Sequence, residues 1–105
     1  MTPPYSLSGR AALVTGAGSP DGIGFASARL LARMGARVAV TATTDRIHER
    51  AAAIDGAIGL VGDLSDADTA RAIVEDAAAA LGRLDILVNN AGMVQTGDDL
   101  AGGHL

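Results

Sequence analysis

The feature that most constrains this chain is a short apolar run that stops on glycine, followed a few residues later by a helical pattern opened by two more glycines. Ala11 to Thr15 (AALVT) is compact and apolar, which suits a strand buried on both faces of a parallel sheet, and Gly16 ends it. From Gly22 to Met34 the apolar positions Ile23, Ala26, Leu30, Leu31 and Met34 recur at helical spacing. These five are the face expected to be buried, and Gly35 stands where the helix should stop.

The alternation continues. Arg37 to Ala42 (RVAVTA) is a β-branched apolar run, and Asp45 to Ile54 is a short polar stretch with helical character. Ala57 to Gly62 (AIGLVG) gives a third strand, after which Ser65 is the expected N-cap of a third helix, with Asp68 completing a partial capping box. The apolar face of that helix is Ile73, Val74, Ala77, Ala78 and Leu81; Gly82 closes it, and Leu84 to Val88 (LDILV) makes a fourth strand. Strands alternating with helices of this length force right-handed crossovers and a parallel sheet with helices on both faces. The expected fold class is α/β, a Rossmann-like doubly wound parallel sheet of which the chain holds the N-terminal part, four strands in the spatial order three, two, one, four and three helices. Residues 1–10 are expected to form an N-terminal arm, 11–96 the half-domain, and 97–105, with three glycines and no period, a loop or tail.

Composition narrows the partners. All eight basic residues are arginine and the net charge is -4, so no basic stripe is available to track a nucleic-acid backbone. There is no cysteine, hence no disulfide framework or thiolate metal site, and His48 and His104 are too isolated to make a metal centre. The N-terminus lacks a charged-then-apolar signal pattern, and no apolar run approaches the ~20 residues that cross a bilayer. A cytoplasmic location with no membrane partner is the expectation.

Thr15 to Gly24 reads TGAGSPDGIG between a strand and a helix, the context in which a glycine pattern becomes a candidate dinucleotide site. Gly16 permits the tight turn, Gly22 lets backbone approach a pyrophosphate, and Gly24 lets the helix pack close to the sheet, with the helix N-terminus facing the anion and the Ser19 hydroxyl as an added donor. This string, Asp63-Leu64 after the third strand and Asn89-Asn90-Ala91-Gly92 after the fourth together resemble the short-chain dehydrogenase/reductase family over Arg10 to Gly92. The glycine loop departs from the family pattern in its longer spacer, Ala17 to Asp21.

The resemblance implies an NAD(P)-dependent oxidoreductase acting on carbonyls or alcohols, with 3-oxoacyl thioesters as one substrate class. The cofactor residues it implies are Gly16, Ser19, Gly22, Ile23 and Gly24 at the phosphates, Asp63 and Leu64 at the adenine, and Asn90, Ala91 and Gly92 on the ribose side. An ionised aspartate suits an adenine amino group because it only accepts hydrogen bonds. Strand two ends without the acid that would hold the ribose of NAD. Thr43, Thr44 and Arg46 follow instead, two hydroxyls and a guanidinium able to cradle the extra phosphate of NADP. NADP is favoured and NAD stays open, since Asp45 offers an acid one register away and Thr44 could instead cap the following helix. The family's proton relay of serine, tyrosine and lysine has no counterpart here: there is no lysine, and the one tyrosine is Tyr5 in the arm, so no catalytic residue is assigned. A non-catalytic nucleotide-binding or interaction module is the alternative. The family's dimer-forming helices lie beyond these motifs, and the apolar LDILV edge invites association.

Overall fold

The computed structural model describes residues 6–90. The expected limits at 96 and 97, the tail, His104, Ala91 and Gly92 lie outside the described residues. Seven elements follow in order: β1 (Ala11–Val14), α1 (Ile23–Arg33), β2 (Arg37–Ala42), α2 (Ile47–Ala52), β3 (Ile58–Val61), α3 (Ala67–Leu81) and β4 (Ile86–Val88). All pairings are parallel, in the order β3-β2-β1-β4. This is the α/β architecture and strand order that the alternation predicts.

Side chains alternate across the pleat, and each face of the sheet receives its own helices. Val14, Val38 and Val40 pack with Phe25 and Ala28 of α1 and with Ile47 and Ala51 of α2; Ala11, Leu13 and Ala39 pack with Ile73, Ala77 and Leu81 of α3. β1 is buried along its whole length. Each fully buried Val, Leu or Ile contributes about 1.5–3 kcal/mol, and Leu13, Val14, Val38 and Val40 of the central strands share that role with Ile47 of α2. The N-terminal arm is docked where it is described: Leu7 N–H donates to Met34 O, and its side chain packs against the α1 face of the core.

The face of α1 differs in part from the expected one: Leu31 and Met34 are half-buried, Leu31 packing against the core. Gly24, Phe25 and Ala28 are buried, whereas Ile23 and Leu30 are 66% and 57% exposed and Ala26 is exposed. The reason is steric: the helix lies so close to the sheet that only Gly and Ala fit directly beneath its axis, and bulk is tolerated at the flank. Phe25 sits there with the guanidinium groups of Arg29 and Arg50 each 5.7 Å from its ring centroid. On α3, Ile73, Ala77 and Leu81 are buried as expected, but Val74 is 40% exposed.

Helix starts also depart from expectation. The N-cap of α3 is Asp66, whose Oδ2 accepts from Thr69 N (2.9 Å) and Thr69 Oγ1 (2.6 Å), and Ser65 is engaged elsewhere. α2 begins at Ile47 with Arg46 as a cap that makes no side-chain bond, so Thr44 contributes only its carbonyl, to Ile47 N.

Asp85 fastens the entry of β4 to the entry of β1. Its N–H donates to Ala11 O at 2.9 Å, and its Oδ2 accepts from Ala11 N at 2.9 Å. Oδ1 accepts from Arg83 Nε and Nη2 at 3.1 and 2.7 Å, with Arg10 at 3.7 Å. The Arg83 bonds first, then the Ala11 amide, hold this carboxyl below the usual carboxylate range. A depressed native value means that the stabilisation is complete above the unfolded-chain value of about 3.9 and is lost as pH falls through the native one. Asp85→Asn should therefore lower the urea midpoint at pH 7, and the gap from the parent chain should close as the pH falls below about 4. A gap that stays constant as the pH falls, in urea melts at each pH, would show that the difference does not come from ionisation of the Asp85 carboxylate.

Candidate functional site

Where the β-strands end, the chain opens a cavity of about 780 Å³ on the α3 side of the sheet. That volume lies within the ~300–1,000 Å³ range of ligand pockets. Gly16, Gly18 and Ser19 form one wall, Thr43, Thr44 and Arg46 a second, and Asp63, Leu64 and Ser65 a third. Leu13, Ile73, Val74 and Leu87 supply an apolar lining.

The glycine turn is built as its sequence requires. Gly16 takes φ +66°, a left-handed conformation that frees the chain to turn directly after β1. Ala17 N–H then donates to Thr41 O at 2.9 Å, which pins the loop to the end of β2. Ser19 closes the longer spacer on itself: Asp21 N donates to Ser19 Oγ (3.3 Å) and Gly22 N to Ser19 O (3.1 Å). Gly22 is the N-cap of α1 and makes no side-chain cap bond, and among the described residues no side chain accepts from the first-turn amides of the helix. Gly22, Ile23 and Gly24 stand beside the cavity through Ser19 and are not among its lining residues.

Gly24 serves the frame. A Cβ there would stand 2.6 Å from Gly16 O and 2.8 Å from Asn90 Nδ2. Asn90 is likewise turned inward, Nδ2 donating to Gly16 O (3.1 Å) and its backbone N–H to Thr15 Oγ1 (2.9 Å). Thr15 Oγ1 lies 3.2 Å from Asn89 Oδ1 and 3.4 Å from Val88 O, the acceptors for its single proton. Of the two asparagines it is Asn89 that lines the cavity. Thr15 is 4% exposed and escaped the sequence reading, although a threonine immediately before the turn glycine was the available signal. Gly18 was missed as well; its α-carbon faces β2 so closely that a Cβ would lie 2.9 Å from that of Ala42.

The second wall is free to bind. Thr43, Thr44 and Arg46 are exposed, and among the described residues none of their side chains makes a hydrogen bond or ion pair. Asp45, the acidic alternative, is not among the lining residues. On the third wall Ser65 donates twice to one oxygen of Asp63: N–H to Oδ1 at 2.9 Å and Oγ to Oδ1 at 2.6 Å. These two bonds hold the Asp63 carboxyl below its ordinary range. Three walls thus offer an anion-sized turn, a cation with two hydroxyls, and an ionised acceptor, a donor set that fits a phosphorylated dinucleotide. His48 is exposed on α2, and among the described residues no group of three or more His, Asp or Glu could hold a metal ion.

Comparison with known proteins agrees with this arrangement. The family model described as short chain dehydrogenase matches residues 10–101. An uncharacterized oxidoreductase of Methylorubrum extorquens is 44% identical over 95 residues, covering 85% of this chain and 38% of the relative. A cis-4-hydroxycyclohexanecarboxylate dehydrogenase of Sinomonas cyclohexanicum is 41% identical over 90 residues, covering 82% of this chain and 35% of its own length. Among solved structures, the Pseudomonas aeruginosa RhlG/NADP active-site complex superposes with a TM-score of 0.77 at 40% identity, over 88% of this chain and 38% of that one. The chain thus spans well under half the length of these relatives. Its family-model match, its strand order and its Asn89-Asn90-Ala91-Gly92 string agree: the chain belongs to the short-chain dehydrogenase family.

Proposed function

We propose that the cavity binds a nicotinamide dinucleotide, NADP(H) in preference to NAD(H), as the cofactor half of an oxidoreductase that interconverts a carbonyl and an alcohol. The observation that carries the preference is the wall of Thr43, Thr44 and Arg46, two hydroxyls and a guanidinium facing the cavity with no partner among the described residues. Arg46 and the two threonines hold the ribose phosphate; Gly16, Ser19 and the α1 start at Gly22, Ile23 and Gly24 take the pyrophosphate; Asp63 and Leu64 take the adenine. Asn90 keeps the glycine turn in place, and Ala91 and Gly92, outside the described residues, extend the same assignment toward the second ribose. When bound, the dinucleotide supplies the hydride. The residues of this chain bind and orient it, and with no lysine in the sequence none is proposed to move the proton. The NADP complex of the RhlG relative supports the same choice. The cysteine-free sequence suits a reducing cytoplasm, where we place this activity.

Titration with NADPH, NADH and ADP-ribose, followed by calorimetry, tests the proposal. NADPH should bind more tightly than NADH, and Arg46→Ala should narrow that ratio roughly tenfold or more, the worth of one hydrogen bond to a charged group. Equal affinities that Arg46→Ala leaves equal would overturn the phosphate assignment. A folded chain that binds none of the three would overturn the cofactor reading.

A further inference from the structure

We infer that Ser65 is a positioning residue that makes the cavity selective for adenine over a 6-oxopurine. This rests on the cofactor reading of the cavity and goes beyond it by assigning the base selectivity to a residue that need not touch the ligand. Ser65 spends both of its donors on one atom: its amide and its hydroxyl both point to Asp63 Oδ1. The carboxylate is thereby fixed in rotation, and Oδ2, which accepts no hydrogen bond among the described residues, is the oxygen left for a ligand. The next amide, Leu64 N–H, also donates to no described group. Asp63, Leu64 and Ser65 all line the cavity.

An acceptor followed by a donor is the complement of the edge of adenine, which presents an amino donor at C6 and an acceptor at N1. Hypoxanthine reverses both, with an oxygen at C6 and a proton on N1, so each contact would become a clash of like groups. A carboxylate free to rotate could meet such a base less badly, and a protonated one could donate to its oxygen. The two Ser65 bonds oppose both escapes. Ser65 can be removed without disturbing the helix behind it, because α3 is capped by Asp66.

The experiment compares NADPH with its hypoxanthine analogue on the full chain, by calorimetry, in the parent, Ser65→Ala and Ser65→Thr. The parent should prefer the adenine form by roughly tenfold, the usual scale for mispaired polar groups. Ser65→Ala, which removes the hydroxyl and keeps the backbone amide bond, should lose part of that preference, several-fold, chiefly by weaker binding of the adenine form, while its melting temperature stays near the parent value. Ser65→Thr, which keeps both donors, should restore the preference. The pH below which the adenine form is released should also rise in Ser65→Ala, a shift that a role confined to folding would not produce. Full preference in a folded Ser65→Ala overturns the inference and leaves the cofactor reading standing. Failure of the parent to bind either dinucleotide overturns both.

Discussion

Gly24→Ala should melt roughly 10–20 °C below the parent chain. The added methyl would stand 2.6 Å from Gly16 O, 2.8 Å from Asn90 Nδ2 and 3.0 Å from Gly16 C. None of these can step aside cheaply: Gly16 belongs to the turn and the Asn90 amide is committed to Gly16 O. Forcing one carbon into such a space costs about 1–3 kcal/mol, and losing the Asn90 bond about 1 kcal/mol more. In a small domain that is a large part of a total of about 5–15 kcal/mol. Gly22→Ala, two residues away, is the control. Its φ is -82° and its nearest new contact is Ser19 Cβ at 3.3 Å, so its melting temperature should move by only a few degrees. Thermal melts by circular dichroism compare the three. Coincident curves for Gly24→Ala and the parent would mean that α1 can lift from the sheet without loss.

Thr15→Val should lower the unfolding free energy by about 1–3 kcal/mol. Valine fills the same space, so packing is kept and only the hydroxyl is lost. That hydroxyl is the acceptor for Asn90 N at 2.9 Å and lies 3.2 Å from Asn89 Oδ1. Its removal leaves a partly buried amide without that acceptor beside a residue 4% exposed, where water cannot easily substitute. Thr15→Ser keeps the oxygen and should recover most of the loss. Urea melts measure the difference directly, and a Thr15→Val chain as stable as Thr15→Ser would remove the threonine from the account of how β1 and the Asn89-Asn90 turn are joined.

The sheet was legible because its signal is coarse. Apolar runs of strand length bounded by glycine, with helix-length stretches between them, admit few arrangements, and the crossover rule selects one. The glycine turn, Asp63-Leu64 and the threonine–arginine wall were legible because each falls at a strand end, where side chains are delivered to the cavity. What escaped was decided by sterics finer than a hydrophobic period. Ile23 and Leu30 outweigh Gly24 and Ala28 in any count of apolar character, yet the small residues are buried because the helix axis comes close. Ser65 and Asp66 can both cap a helix; the choice went to Asp66 once Asp63 had claimed Ser65, a contest between neighbours that spacing does not reveal. Asp85 is the one charge in the LDILV run, and its carboxylate points inward to Ala11 N rather than out along the edge of β4. Leu87, 58% exposed on that edge, is left without the protection that a charged neighbour would give.

The contact between Gly18 and Ala42 has a consequence for how this cavity could change over generations. The two α-carbons approach so closely that a side chain at position 18 would meet the methyl at position 42 at 2.9 Å. Position 42 is also where β2 ends, the place at which an acid would turn the proposed phosphate preference toward an unphosphorylated ribose. The Cβ that such a side chain would meet is present at 42 in alanine and in an acid alike, so the approach ties position 18 to glycine in either case. An exchange of alanine for an acid at 42, and with it the proposed change of ribose preference, would therefore not have to wait on any change at 18.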